Sequence, residues 1–321
     1  MSSFSESYRI RRIGGSPSTR LVSLLAAFLF SLPLPLAAQE PRVFGSPEEA
    51  ATALFAGVKN DDTAALASIL GADSQQLLSS GDPVADKNAM AQFASEWDQM
   101  HRLAYDDQGR VTIYLGPDNW PGPIPIVKKD GGWVFDTAAG KDELIYRRIG
   151  RNEIYTIGVL VNLVSAQQEY QSEDHGGVRQ YARYIMSDPG QQNGLYWESA
   201  EGSPPSPIGP LIADATTQGY KVQKRAEGAT VAPFHGYFYK ILDRQGKDAP
   251  GGAKNYMVDG KMAGGFAFVA WPAEYRSSGV MTFMINQDSV IVQKDLGPDT
   301  ASIAKDMSVF NPDSTWEQVE R

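Results

Sequence analysis

Six consecutive residues, Phe266-Ala267-Phe268-Val269-Ala270-Trp271, are apolar at both odd and even positions. Successive side chains of a strand point to opposite faces, so such a run demands burial on both sides. It predicts an interior strand with a helix laid across its sheet. Strand-like text surrounds it: Gly236–Leu242, Asn255–Val258, Val280–Asn286 and Val290–Lys294. Gln287-Asp288-Ser289 gives a short turn between the last two, and Pro272–Gly279 a longer loop after the apolar run. These short connections suit antiparallel neighbours. A tail helix over Thr300–Met307 follows, and Trp316 is expected to pin the C-terminus.

The covering helix is predicted from Ile154. Ile157, Val161 and Val164 share one face, with Leu160 and Leu163 beside them, a width that suits a helix lying deep against a sheet. The pattern runs through Tyr170 and stops at Gly176-Gly177. Tyr181–Tyr184 reads as a short helix. Ser203–Pro210, with four prolines in eight residues, reads as an ordered surface loop.

The first half has a different rhythm. Ser46-Pro47-Glu48-Glu49 starts a helix, with Ser as N-cap, Pro in the first turn and Glu closing a capping box. Ala50, Ala51, Leu54, Phe55 and Val58 recur at helical spacing, Thr63–Leu70 restarts the pattern, and a third helix carries Met90, Phe93, Trp97 and Met100. After Gly109 the period becomes two: Val111, Ile113 and Leu115 alternate with polar residues. Ile124–Lys129 and Gly132–Asp136 form a hairpin, because Asp130-Gly131 accepts the positive φ of a tight turn. Arg147–Glu153 is the junction, where three Arg are expected to pair with carboxylates or face water, with capture of an anionic partner as the alternative. The expected fold class is α+β. N-terminal helices plus an antiparallel sheet make a cone-like first domain at 39–150, and a long helix packed on an antiparallel sheet makes a second at 151–321. No internal repeat is visible.

Residues 1–38 read as a signal peptide. Arg9, Arg11, Arg12 and Arg20 precede the uncharged run Leu21–Leu32, Pro33 and Pro35 break it, and cleavage is expected after Ala38. The run is short for a membrane span, which favours a cleaved signal; an uncleaved N-terminal anchor is the alternative. The mature chain is therefore expected to be periplasmic or secreted, without a span. Of the chain's 29 basic and 38 acidic side chains, four Arg and one Glu leave with this segment, so 25 and 37 remain, a net −12. Such a balance argues against nucleic acid as a partner. Cysteine is absent, which excludes disulfides, thiolate chemistry, Cys-bound metals and a lipid anchor on Cys.

The sequence carries little recognisable catalytic chemistry. His101, His175 and His235 lack ligand spacing, and no H-E-x-x-H, G-x-S-x-G or phosphate-binding glycine loop is present. Ser302-Ile303-Ala304-Lys305 fits S-x-x-K formally, without companion motifs. Glu173 and Asp174, before His175-Gly176-Gly177, are weak candidates for a cation; a plain turn is the favoured reading. Glu274, Tyr275, Lys294, Asp295 and Asp299 form the candidate surface or ion site, if the Pro272–Gly279 loop comes near Asp295. The bland reading is that Asp295 and Asp299 cap turns and the tail helix. No catalytic residue and no cofactor is assigned.

GGFAFVAWPAEYRSSGVMTFMINQD, QKDLGPDT, GYFYKIL, NGLYW and NWPGPIPIVKKDGGWVFDTAAGKDELIYRRIGRNE together resemble the bacterial domain-of-unknown-function family 2950, over nearly the whole mature chain. The resemblance implies an exported bacterial protein with no assigned activity. The helix–hairpin order of the first half is similar to folds like nuclear transport factor 2, which implies a pocket or a dimerisation surface. The helix ending in AQQEY, the glycine loop and GYFYKIL are similar to the globular heads of type IV pilin-like proteins. The apolar N-terminal half of a pilin helix is missing, which puts polymerisation in doubt.

The functional expectation is a non-enzymatic, envelope-associated binding or interaction module with an unknown envelope or protein partner. One alternative is a carboxylate-based hydrolase acting on a cell-envelope or polysaccharide substrate. Another is a small-ligand carrier using a pocket in the first domain.

Overall fold

Four helices come first among the described residues, and polar caps begin three of them. The computed structural model describes residues 40–72, 74–174, 177–200, 202–222 and 232–320. The expected export signal at 1–38 lies outside the described residues, as do His175 and Gly176. Ser46 Oγ accepts the Glu49 N–H at 3.1 Å to begin α1 (Pro47–Lys59). The Glu49 carboxylate reaches one residue further back than in a capping box, to the Gly45 N–H at 2.9 Å. Asp62 caps α2 (Thr63–Leu70), α3 is the short Ser74–Leu78, and Asp82 caps α4 (Pro83–Gln99).

Strands β1 (His101–Tyr105), β2 (Val111–Leu115), β3 (Trp120–Pro121), β4 (Ile126–Lys129) and β5 (Gly132–Phe135) make one antiparallel sheet in the order β1-β2-β4-β5, with β3 also on β2. Alternation in β2 buries Val111, Ile113 and Leu115. The hairpin turn is where the sequence predicts it: Asp130 and Gly131 have φ of 49° and 80°, which suits the twist of the flanking strands. Trp97 stacks on Phe55 and His101, with ring centroids 4.9 and 3.9 Å apart, inside this first core.

Asp136 then starts α5 (Thr137–Ser172), 36 residues long. The sequence predicts this helix only from Ile154; in the structure it follows β5 directly. Its first half hides because Ile145 and Ile149 are buried among charged neighbours and Gly140 and Gly150 weaken the pattern. Gly140 marks a crossing, since a Cβ there would lie 2.1 Å from the Pro123 carbonyl oxygen.

Past α5, β6 (Tyr184–Met186) and β7 (Gly194–Tyr196) pair in parallel. The predicted helix at Tyr181–Tyr184 is absent. The buried Gln167 amide donates to Ala182 O at 2.9 Å and accepts from Ala182 N–H at 2.8 Å, holding that residue as a neighbouring strand would. The Pro-rich loop runs into a helix that its prolines conceal, α6 (Gly209–Thr217), with Pro210 in its first turn.

The second sheet has the order β17-β15-β14-β13-β8, antiparallel throughout: β8 (Tyr237–Leu242), β13 (Ala267–Pro272), β14 (Met281–Asn286), β15 (Ile291–Asp295) and the short β17 (Glu317–Gln318). All six residues of β13 are buried. Both α5 and α7 (Thr300–Asp306) pack against β13. Asn255–Val258, predicted for this sheet, does not join it. It divides into β10 (Lys254–Asn255), on β9 (Arg244–Gln245) beside β16 (Val309–Phe310), and β11 (Met257–Val258), folded on β12 (Lys261–Met262). Between them Tyr256 is fully buried and its hydroxyl donates to Gln245 Oε1 at 2.9 Å. The buried hydrophobics form two clusters, one within residues 44–144 and one within 155–319. Among the described residues no helix is long and apolar enough to cross a membrane.

Candidate functional site

The loop between β13 and β14 is held by three polar side chains of α5, Arg148, Asn152 and Glu153, which lie within two turns of the helix. Arg148 Nε donates to Ser277 O at 2.9 Å and its Nη2 to Ser277 Oγ at 3.0 Å. The same guanidinium donates to Leu77 O at 3.1 Å and Gln76 O at 2.8 Å, the carbonyls at the C-terminal end of α3. A cation there also meets the negative end of the helix dipole. Burial pulls the Arg148 guanidinium below its ordinary value, Asp86 opposes that shift and Arg151 adds to it. Asn152 Nδ2 donates to Ser278 O at 2.9 Å, and Glu153 Oε1 accepts the Val280 and Met281 N–H groups at 2.9 and 3.0 Å. The junction arginines thus divide: Arg147 pairs with Glu143 at 2.8 Å as expected, whereas Arg148 holds carbonyls and a hydroxyl.

Between α3 and this loop lies an open cleft of about 470 Å³. Gln75, Gln76 and Ser79 line it from the α3 side, and Glu274, Tyr275 and Ser277 from the loop. Ser277 Oγ is engaged with Arg148. The Tyr275 hydroxyl donates to Asp295 Oδ2 at 3.1 Å, and the Arg276 guanidinium lies 5.6 Å over the Tyr275 ring. Glu274 is exposed, its stem beside Gly81, where a Cβ would sit 2.6 Å from its Cγ.

The predicted site residues separate on this geometry. Glu274 and Tyr275 line the cleft, and Asp295 joins them through Tyr275. The other Asp295 oxygen accepts the Gly297 N–H at 2.7 Å, so this carboxylate also closes its own turn. Lys294 points along the other face of β15 and donates to Thr315 Oγ1 at 2.6 Å. Asp299 stands at the N-cap position of α7 without accepting a helix N–H through its side chain; its carbonyl accepts Ser302 Oγ at 2.9 Å. Far from the cleft, Glu173 ends α5 and the Asp174 carboxylate accepts the Gly177 N–H. Among the described residues no three His, Asp or Glu side chains gather as a metal set.

The family model described as protein of unknown function (DUF2950) matches residues 41–319. The chain belongs to the DUF2950 family. No curated protein and no solved structure matches it.

Behind the cleft, this DUF2950 chain carries a buried polar knot that no motif announces. Asp82 Oδ1 accepts the Val84 and Ala85 N–H groups, both at 3.1 Å, while Oδ2 accepts the Tyr220 hydroxyl and the Gly236 N–H, both at 2.9 Å. The Tyr220 oxygen in turn accepts the His235 N–H at 3.1 Å. Burial, reinforced by the Asp82 charge, pushes the Tyr220 phenol well up. His235 has φ 51° and stacks on Tyr155 with centroids 3.6 Å apart. Its Nε2 is buried without a hydrogen-bond partner among the described residues. Burial pulls the imidazole below its ordinary value, and Asp82 and Asp214 only partly oppose that. Gly81-Asp82-Pro83, a cap residue followed by proline, was the one local signal for this knot. Gln75, Gln76 and Ser79 had none, because their partners in the cleft wall lie about two hundred residues away in sequence.

Proposed function

We propose that this DUF2950 chain is an exported, non-enzymatic binding module of the cell envelope, and that the cleft between α3 and the Pro272–Gly279 loop receives its ligand. The observation that carries the reading is the division of labour among polar groups. Arg148, Ser277, Tyr275 and Asp295 are committed to holding the walls. Gln75, Gln76, Ser79 and Glu274 present polar ends at the cleft surface. Fixed walls whose donors and acceptors are uncommitted among the described residues are what a preorganised binding site requires. The basic and apolar run before Ala38 supports export.

The hydrolase alternative would use Glu274, with Asp295 as the second carboxylate. Asp295, tied to Tyr275 and Gly297, is better placed to hold the wall than to carry protons. The test compares retention of the purified exported protein on isolated cell envelopes with that of Ser79→Trp, which fills the cleft from an exposed position. Loss of retention in Ser79→Trp, with unchanged melting, supports the reading. Equal retention of both, or of neither, overturns it. Release of soluble fragments that stops in Glu274→Gln would establish the hydrolase instead.

A further inference from the structure

The cleft's own chemistry narrows what it can hold. Its two helix-borne groups, Gln75 and Gln76, are primary amides, each able to donate and accept at once. Ser79 adds a hydroxyl beside them, and Glu274 faces them as an acceptor for two hydroxyl protons. Apolar wall is scarce, limited to Ala72 and the Tyr275 ring, so a hydrophobic ligand would gain little there.

Charge narrows the choice further. Glu274 and Asp295 stand at the loop side with Arg276 over Tyr275 and Arg148 behind the wall. Two carboxylates against two guanidinium groups leave the site close to neutral, and the mature chain's excess of acidic groups repels anions. A volume of about 470 Å³ admits more than a single sugar ring or amino acid. We propose, resting on the binding-module reading above, that the cleft binds a short, uncharged oligosaccharide. Gln75, Gln76 and Ser79 bridge adjacent hydroxyl or acetamido groups from one side, and Glu274 accepts from hydroxyls on the other. Arg148 is a positioning residue: it fixes the spacing between the two walls without touching the sugar.

Calorimetric titration of the exported protein tests this with four probes. Triacetylchitotriose and cellotriose are neutral, trigalacturonate is the anionic counterpart, and deacetylated chitotriose the cationic one. The expected result is binding of at least one neutral trisaccharide, weakened about tenfold by Glu274→Gln or Gln75→Ala. Ser79→Trp should abolish it, each variant melting as the parent does. Absence of binding by both neutral trisaccharides overturns the inference. So does tighter binding of either charged trisaccharide; if that binding is lost in Ser79→Trp, the cleft still binds and only the ligand class is wrong. Saccharide binding that survives Ser79→Trp overturns the assignment to this cleft. Envelope retention that depends on an open cleft, with no trisaccharide bound, would leave the binding module standing and remove its proposed ligand.

Discussion

Asp82→Asn is the substitution whose cost is best fixed by the geometry. The carboxylate is 1% exposed and accepts four hydrogen bonds, two from the first turn of α4 and two from Tyr220 and Gly236. Asn keeps the volume and can keep Oδ1 on the helix cap. Its amide nitrogen must then face the Gly236 N–H and the Tyr220 O–H, donor against donor. The Tyr220 oxygen already accepts from His235 N–H, so turning the hydroxyl away leaves its own proton without that acceptor. Orphaning the Gly236 N–H costs about 1–3 kcal/mol, and the charge-assisted bond from Tyr220 is worth a similar amount. The sum is about 2–6 kcal/mol, which corresponds to a fall in Tm of roughly 4–24 °C in a chain of this size. Thermal and urea unfolding of the purified protein measure it. Asp62→Asn is the control, because Asp62 caps α2 with one bond at 2.9 Å from an exposed position and should cost about 1 kcal/mol or less. If Asp82→Asn falls within about 1 kcal/mol of the parent, like the control, then Asp82 is an ordinary cap and the argument for a buried knot fails.

Burial, backbone conformation and helix continuity fix four further outcomes. Tyr220, Tyr237, Tyr239 and Tyr256 all have phenols pushed up chiefly by burial. Unfolded tyrosines ionise near pH 10 while these keep their protons, so stability should hold below about pH 10 and decline above it; phenolate absorbance should rise together with unfolding, not before it. His235 is held below its ordinary value, so the unfolded chain takes up a proton first and stability should fall as pH drops below about 6.5. That part of the acid response should vanish in His235→Asn, which also tolerates the positive φ, and its persistence there would exclude His235 as the source. Gly158 has open space around a would-be Cβ, so Gly158→Ala should stabilise α5 by about 0.5–1 kcal/mol, whereas Gly140→Ala, driven into Pro123 O, should destabilise by about 1–3 kcal/mol. A division into separately folding halves at 39–150 and 151–321 can be tested with trypsin. Arg147, Arg148 and Arg151 lie inside α5, so resistance until global melting is expected, and an early cut releasing two folded fragments would show that the halves separate.

What the sequence reveals and what it hides have different physical origins. The apolar run at Phe266–Trp271, the Asp130-Gly131 turn and the cap at Ser46 are local: few residues decide them, and the structure matches them closely. The first half of α5 and the strand at Tyr184–Met186 are decided by distant partners. Position 140 of the helix takes glycine because Pro123 leaves no room for a side chain, and Ala182 is extended because Gln167 holds its backbone. Neither cause leaves a periodic trace. For the site, Glu274 and Tyr275 were visible because a long loop beside a buried strand draws suspicion. Their opposite wall, Gln75, Gln76 and Ser79, looked like any polar turn.

The placement of the loop itself depends on rotation about one helix. Arg148, Asn152 and Thr156 recur every fourth residue of α5 and so share a face. They meet, in order, Ser277, Ser278 and the Tyr239 hydroxyl, the last at 3.2 Å. Apolar packing alone would tolerate a small turn of the helix, since hydrophobic contact has no direction. Three directional contacts in a row do not, because a shift by one residue swings every donor by about 100° away from its acceptor. Arg148 extends the same constraint to α3 through Gln76 O and Leu77 O, so the two cleft walls share one reference element. A cleft defined this way keeps its width without a ligand. In the reading proposed above, that preorganisation is what would let a site lined mainly by amides, hydroxyls and one exposed carboxylate compete with water for an uncharged, well-hydrated molecule.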